Sequence, residues 1–189
     1  LDEACYDLLA SEARLASCDF RDGTLLVSVA GAVGPVQDRM EMVATVAGVT
    51  YINDTTATAP VAAAAALSAL GEGTGRIHLL AGGADKKLDP APLVDAVARS
   101  GAAVYLFNGT ATSAIRDALT AQGVKPQGCF DSMREAVGAA SAAANPGDTV
   151  LLSPGCASFG LFQDEFDRGE QFRAAVASLE SAGAEVGRG

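Results

Sequence analysis

"RMEMVATVAGVTYINDTTATAP", residues 39–60, holds two strand-like apolar runs split at Ala47-Gly48, then a polar cluster, then the start of an alanine-rich run. Two such runs across a short glycine-containing break predict a β-hairpin. A helix is expected from about residue 60 to residue 70, with Pro60 acceptable in its first turn. Between strand and helix stand Asn53, Asp54, Thr55, Thr56 and Thr58. A helix start needs one capping side chain. Thr58 or Thr56 would serve, with Asp54 favouring the positive end of the dipole. The remaining hydroxyls and the carboxylate suit a ligand, such as ribose hydroxyls or an amino-acid group.

Downstream of this stretch the pattern alternates. Strands are expected at 76–81, 103–107, near "GCF" at 128–130, and at 149–153. Amphipathic helices are expected at 92–100, 112–121, 132–144 and about 163–182, the last with Phe172, Val176 and Leu179 in phase. Short apolar strands alternating with amphipathic helices predict an α/β fold. It is Rossmann-like, with a mostly parallel sheet, helices on both faces and an antiparallel hairpin at its start.

Upstream, residues 1–35 do not fit the alternation. A helix is expected over 2–16, a strand over 24–30, and "GAVGPV" at 31–36 reads as a connector. This lead-in stays unassigned and is compatible with the end of a preceding domain. The main domain is expected over 36–182, and the tail 183–189 is expected to fray.

The bulk numbers narrow the function. The chain has 189 residues, 49% of them hydrophobic, and a net charge of −10. That supports a real core and argues against an electrostatic nucleic-acid footprint. Cys5, Cys18, Cys129 and Cys156 form no C-x-x-C pair, so no zinc site is expected. No signal-peptide pattern opens the chain and no apolar run is long enough to span a membrane, which predicts a cytoplasmic protein. No G-x-x-x-x-G-K-[ST] occurs, and no G-x-G-x-x-G follows a strand, which disfavours a dinucleotide oxidoreductase.

In such a sheet, ligands bind beyond the carboxyl ends of the strands. Three polar loops are expected to converge there: "NDTTAT" at 53–58, "GGADKK" at 82–87 and "SPGCAS" at 153–158. Gly82 and Gly83 would let backbone approach a ligand, with Lys86 meeting an anion. Gly155, Ala157 and Ser158 would allow an anion nest of N–H groups. The first two loops also have plainer readings, as a helix cap and as a flexible turn with solvated lysines, and Arg39 reads plainly as a solvated arginine. His78, the one histidine, falls inside a strand and reads as a core or edge residue, so a Cys156–His nucleophilic pair is not expected.

Taken jointly, "RMEMVATVAGVTYINDTTAT", "LLAGGADKKLD" and "LLSPGCASFGLFQDEFDRGEQF" are more specific than any one of them. In this order and spacing they resemble the C-terminal domain of the Mur ligases, most of all the D-glutamate-adding type. The resemblance implies an ATP-dependent ligase of peptidoglycan precursor synthesis. Such an enzyme uses ATP to convert the carboxylate of UDP-N-acetylmuramoyl-L-alanine to an acyl phosphate, releasing ADP, and the amine of D-glutamate then attacks it, releasing phosphate. An L-glutamate-adding relative and a non-catalytic binding module of the same fold remain the alternatives.

Position by position, the resemblance implies that Arg39 and Asp54 face the nucleotide. Thr58, Lys86, Ser158 and the backbone at Phe159 would face the amino acid. No catalytic residue and no metal ligand are implied in this chain. The P-loop and most of the Mg2+ site would lie in a missing central domain, so the chain alone is expected to be inactive. Three positions depart from the family pattern. Asp38 stands for the usual histidine, Thr55-Thr56 for Ser-Lys, and Glu165 for an aromatic, with Phe166 one step later.

Overall fold

A computed structural model of the chain describes residues 15–21, 24–29, 32–35, 37–71 and 75–186. The first three segments are strands β1 (Leu15–Arg21), β2 (Thr24–Val29) and β3 (Ala32–Pro35), an antiparallel sheet in that order. Most of the helix expected over 2–16 lies outside the described residues, and its last two positions, Leu15 and Ala16, belong to β1. "GAVGPV" is no mere connector: Ala32 to Pro35 pair with β2 from Val29 to Leu26. With only four residues and two small side chains, β3 carries too little apolar periodicity to read as a strand alone.

The second sheet has six strands. Strand β4 (Glu41–Val46) and strand β5 (Val49–Asn53) form the expected hairpin. Its two-residue loop has φ of 50° at Ala47 and 80° at Gly48, the paired positive values of a type I′ turn. There follow α1 (Pro60–Leu70), β6 (Ile77–Gly82), α2 (Ala91–Ser100), β7 (Ala103–Phe107), α3 (Thr112–Ala121), β8 (Gly128–Phe130), α4 (Met133–Ala143), β9 (Thr149–Leu152) and α5 (Glu165–Val186). Helix α5 therefore runs through Val186, well into the segment expected to fray.

The strand order is β4-β5-β9-β6-β7-β8, and only β4–β5 is antiparallel. The parallel strands are continuous apolar runs because both faces are covered. On one face Ile52, Leu79, Leu106 and Leu151 pack with Leu67 of α1, Val94 of α2 and Ile115 of α3. On the other, Tyr51, Leu80, Tyr105 and Leu152 pack with Val137 of α4 and with Phe172 and Val176 of α5. Neighbouring strand residues alternate between these two cores, as the two-residue period requires.

The connections position the site. From β5 to β8 the chain steps outward through α1, α2 and α3 on one face. Helix α4 then returns it along the opposite face, and β9 enters between β5 and β6. The chain leaving β9 passes to the face opposite that taken by the chains leaving β5 and β6. That reversal opens a crevice at the carboxyl ends of these three strands.

At the amino end of the sheet, His78 is buried between Tyr105 OH, at 3.1 Å, and Asp148 Oδ2, at 3.2 Å. It is a core histidine, as its place in a strand suggested.

Candidate functional site at the crevice

The loop after β5 begins by extending the sheet. Asp54 N donates to Leu152 O at 2.8 Å, which continues the pairing with β9. The Asp54 carboxylate is only 7% exposed. Its Oδ2 accepts from Ser153 Oγ at 2.7 Å and its Oδ1 from Met40 N at 3.3 Å. Burial still dominates and pushes the carboxyl up to about 6, against the lowering effect of those bonds and of the nearby Arg39 charge. Each oxygen keeps a second lone pair for a ligand hydroxyl.

Neither threonine caps α1. The N-cap is Ala59, with no side-chain bond, and Pro60 covers the first turn. Both hydroxyls are used elsewhere. Thr56 Oγ1 donates to the Asp38 carbonyl at 2.9 Å, and Thr56 N points to the same oxygen at 3.3 Å. Thr58 Oγ1 accepts from Lys86 Nζ at 2.9 Å. The residues at the first two departures, Asp38 and Thr56, thus bond directly to each other.

Lys86 reaches Thr58 because two loops are laced together beneath it. Ala84 N donates to Ala157 O at 2.8 Å, and Ala157 N returns a bond to Ala84 O at 3.2 Å. Gly83 has φ of 138°, and an added Cβ there would collide with the Ala157 carbonyl. The glycine freedom expected to admit a ligand is used instead for contact between loops. The N–H groups of Gly155 and Ala157 are engaged likewise, the former with Ala57 O at 2.8 Å, so those two donors are not the nest the sequence suggested. Ser158, buried at 2% exposure, follows the Ala157 bridge by one residue, and Lys86 follows Ala84 by two. The Phe159 ring is 64% exposed, while Phe162 is buried edge-on against Phe107 at 5.4 Å. At the third departure, Glu165 offers its carbonyl to Thr55 Oγ1 at 2.8 Å, and Phe166 is 58% exposed.

The arrangement gathers the residues named from sequence into two groups. Arg39 and Asp54 lie on the β4–β5 side. Thr58 and Lys86 meet on the β6 side, flanked by the 157–159 backbone. A cation beside hydroxyls suits a carboxylate, and a lone carboxylate near a guanidinium suits a hydroxylated, phosphorylated ligand.

Sequence reasoning missed Arg168. It is fully buried, and no carboxylate pairs with it among the described residues. Its Nε donates to Thr55 Oγ1 at 2.9 Å, Nη2 to Thr55 O at 2.7 Å, and Nη1 to Cys156 O at 3.2 Å. It therefore ties the 53–58 loop to the 153–158 loop from below. Burial lowers its pKa to about 10, and burial likewise pushes the Cys156 thiol up to about 11 against the lowering effect of the Arg168 charge. A signal existed. Arg168, Phe172 and Val176 are spaced four apart on the apolar stripe of α5. Arg173 and Asn53, which hold Asp38, were also missed.

Residues 38–156 match the family described as "Mur ligase, glutamate ligase domain". The chain is 50% identical over 146 residues to the UDP-N-acetylmuramoylalanine--D-glutamate ligase of Roseiflexus sp. (strain RS-1), covering 76% of this chain and 31% of that protein. It is 42% identical over 154 residues to the ligase of the same name from Marinobacter nauticus, covering 82% of this chain and 34% of the relative. The chain thus spans about a third of the length of the curated relatives it matches. The fold is similar to that of the MurF ligase from Thermotoga maritima in complex with ADP. There the TM-score is 0.53 at 13% identity, over 89% of this chain and 46% of that one. It is also similar to the UDP-N-acetylmuramate-alanine ligase MurC from Thermotoga maritima, with a TM-score of 0.52 at 13% identity over 76% and 31% of the two chains.

Proposed function

This chain belongs to the Mur ligase family, and we propose that it is the amino-acid-binding domain of an ATP-dependent ligase that adds D-glutamate to UDP-N-acetylmuramoyl-L-alanine. The observation that carries this reading is the Lys86–Thr58 contact, at 2.9 Å, beside the Ser158 loop. D-Glutamate brings two carboxylates. Lys86 supplies a cation, and Thr58, Ser158 and the Phe159 backbone supply neutral donors around it. The amine is left free to attack.

Arg39 and Asp54 are proposed to hold the nucleotide, Arg39 on phosphate charge and Asp54 on ribose hydroxyls. What this domain contributes is positioning: it brings the amine to the activated carboxyl and keeps water from competing. Phosphoryl transfer needs residues outside the chain, which contains no G-x-x-x-x-G-K-[ST]. Among the described residues, no group of three His, Cys, Asp or Glu could hold a metal ion. Magnesium would be held mainly by the rest of the enzyme. No helix among the described residues is long and apolar enough to cross a membrane. A substrate set of ATP and a UDP-sugar supports a cytoplasmic reaction.

The test is amino-acid-dependent phosphate release by the whole enzyme, comparing D-glutamate with L-glutamate. D-Glutamate is expected to be the substrate, and Lys86→Ala to raise its KM at least tenfold, about 1.4 kcal/mol. Equal turnover of L-glutamate would reject the stereochemical assignment. An unchanged KM in Lys86→Ala would reject the site.

A further inference from the structure

Arg39 occupies an unusual turn. Asp38 on one side has φ of 64° and Met40 on the other has φ of 43°, though neither is glycine. Left-handed backbone at two non-glycine residues persists only where the surroundings hold it there. Four elements do so. The Asp38 carboxylate, 4% exposed, accepts from Arg173 Nη1 of α5 at 2.9 Å and from Asn53 Nδ2 of β5 at 2.8 Å. The Asp38 carbonyl is taken by Thr56. Asp38 N donates to Glu41 Oε2 of β4 at 3.1 Å, and Met40 N donates to Asp54.

Arg173 is the hub of this network. The same Nη1 reaches Glu41 Oε2 at 2.8 Å, and Nη2 reaches Glu170 Oε1 at 2.9 Å. The Arg39 side chain, by contrast, takes part in no ion pair among the described residues, though the residue is partly buried. The turn is fixed, and among the described residues no carboxylate pairs with the guanidinium it presents. Gly169, on the first turns of α5, leaves room for this: a Cβ there would collide with the Asp38 carboxylate.

We propose that Arg173 and Asp38 are positioning residues for Arg39: their partly buried ion pair locks the turn that aims the Arg39 guanidinium at the nucleotide. Asp38 and Thr56 occupy positions where the family pattern expects a histidine and a lysine. Here they form a unit with Arg173, in which the cation comes from α5 and acts on the turn from beneath. This inference rests on the reading of Arg39 as a nucleotide contact, and the experiment separates the two.

In the whole enzyme, KM for ATP, KM for the amino acid and kcat would be measured for Arg39→Ala, Arg173→Met, Arg173→Lys and the double variant Arg39→Ala/Arg173→Met. Arg173→Met is expected to raise the ATP KM about tenfold, with the amino-acid KM within twofold of the parent. Arg173→Lys, whose ammonium can still reach Asp38 and Glu41, should recover most of that loss. The double variant should be no worse than Arg39→Ala alone, because the two changes remove one interaction. If Arg39→Ala leaves the ATP KM unchanged, the nucleotide reading falls and the inference with it. If Arg39→Ala raises it but Arg173→Met does not, or the two effects multiply in the double variant, the positioning role is overturned and the nucleotide reading stands. If Arg173→Met fails to fold, Arg173→Gln takes its place: an ATP KM raised alone supports the positioning role, and one unchanged or raised together with the amino-acid KM overturns it.

Discussion

Ser153 Oγ stands 2.7 Å from Asp54 Oδ2, a single hydroxyl donor from the loop after β9 facing a buried carboxylate at the end of β5. With Met40 N on the other oxygen, that is too little to offset burial, and the carboxyl sits at about 6 rather than the ordinary 3.8. The folded state therefore holds this proton more tightly than the unfolded chain. Ionisation costs stability as pH rises from about 4 through about 6, and the cost is fully present at pH 7. It amounts to roughly 3 kcal/mol from a gap of about two pH units. Asp54→Asn removes the charge at nearly constant shape. Its amide can donate to the Ser153 hydroxyl and accept from Met40 N. The variant is expected to melt several degrees higher than the parent at pH 7.5 and to lose that advantage near pH 4.5. A melting difference independent of pH would refute the assignment.

Arg168 presents a different balance. Three acceptors from two loops are reached by three separate nitrogens of one rigid fork. Arg168→Lys keeps a buried cation but gathers its donors at one point, so it cannot span Thr55 and Cys156 together. Losing two charge-assisted bonds should cost about 3 kcal/mol. Urea unfolding of the two proteins would measure it, and a loss below about 1 kcal/mol would mean that the fork is not holding the loops.

Two glycines separate backbone conformation from close contact. Gly83 and Gly123 both have positive φ, 138° and 77°. A Cβ at Gly83 meets the Ala157 carbonyl, whereas at Gly123 nothing lies within 4 Å. Gly123→Ala should cost about 1 kcal/mol, the left-handed backbone alone. Gly83→Ala should cost about 3 kcal/mol or more, since the laced loops must part as well. Thermal melts of both variants test this, and equal losses would contradict the lacing.

The alternation from β4 to α5 was readable because continuous apolar runs mark the parallel strands and an apolar stripe marks most of the helices, and both survive in the core. The hairpin was readable from its two-residue break. Strand β3 was not, because four residues give no period. The convergence of Asp54, Lys86 and Ser158 followed from topology, which sends the ends of parallel strands to one edge. The caps were misread because a threonine before a helix has one local partner available and many distant ones. Thr56 and Thr58 took Asp38 and Lys86, and no local rule ranks such bonds. Arg168 and Arg173 were hidden by their charge: in a sequence, an arginine within "DRGEQFR" looks solvated, and only Arg168 has a place on the apolar stripe to weigh against its polarity.

The strand that joins the two halves of the crevice is made last. Strand β9 pairs with β5 through Thr149–Leu152 and with β6 through the same four residues, so those two strands have no other link within the sheet. During synthesis the edges of β5 and β6 that β9 will pair with are both made before it. They wait while α2, β7, α3, β8 and α4 are added. Such long-range pairing is slow and leaves strand edges exposed to other chains. Ser153 and Ser158 follow β9 directly, so the crevice acquires its last wall at the moment β9 pairs with both strands. A nascent chain stalled before Leu152 would carry Asp54 and Lys86 on two unjoined sheets, with no site between them.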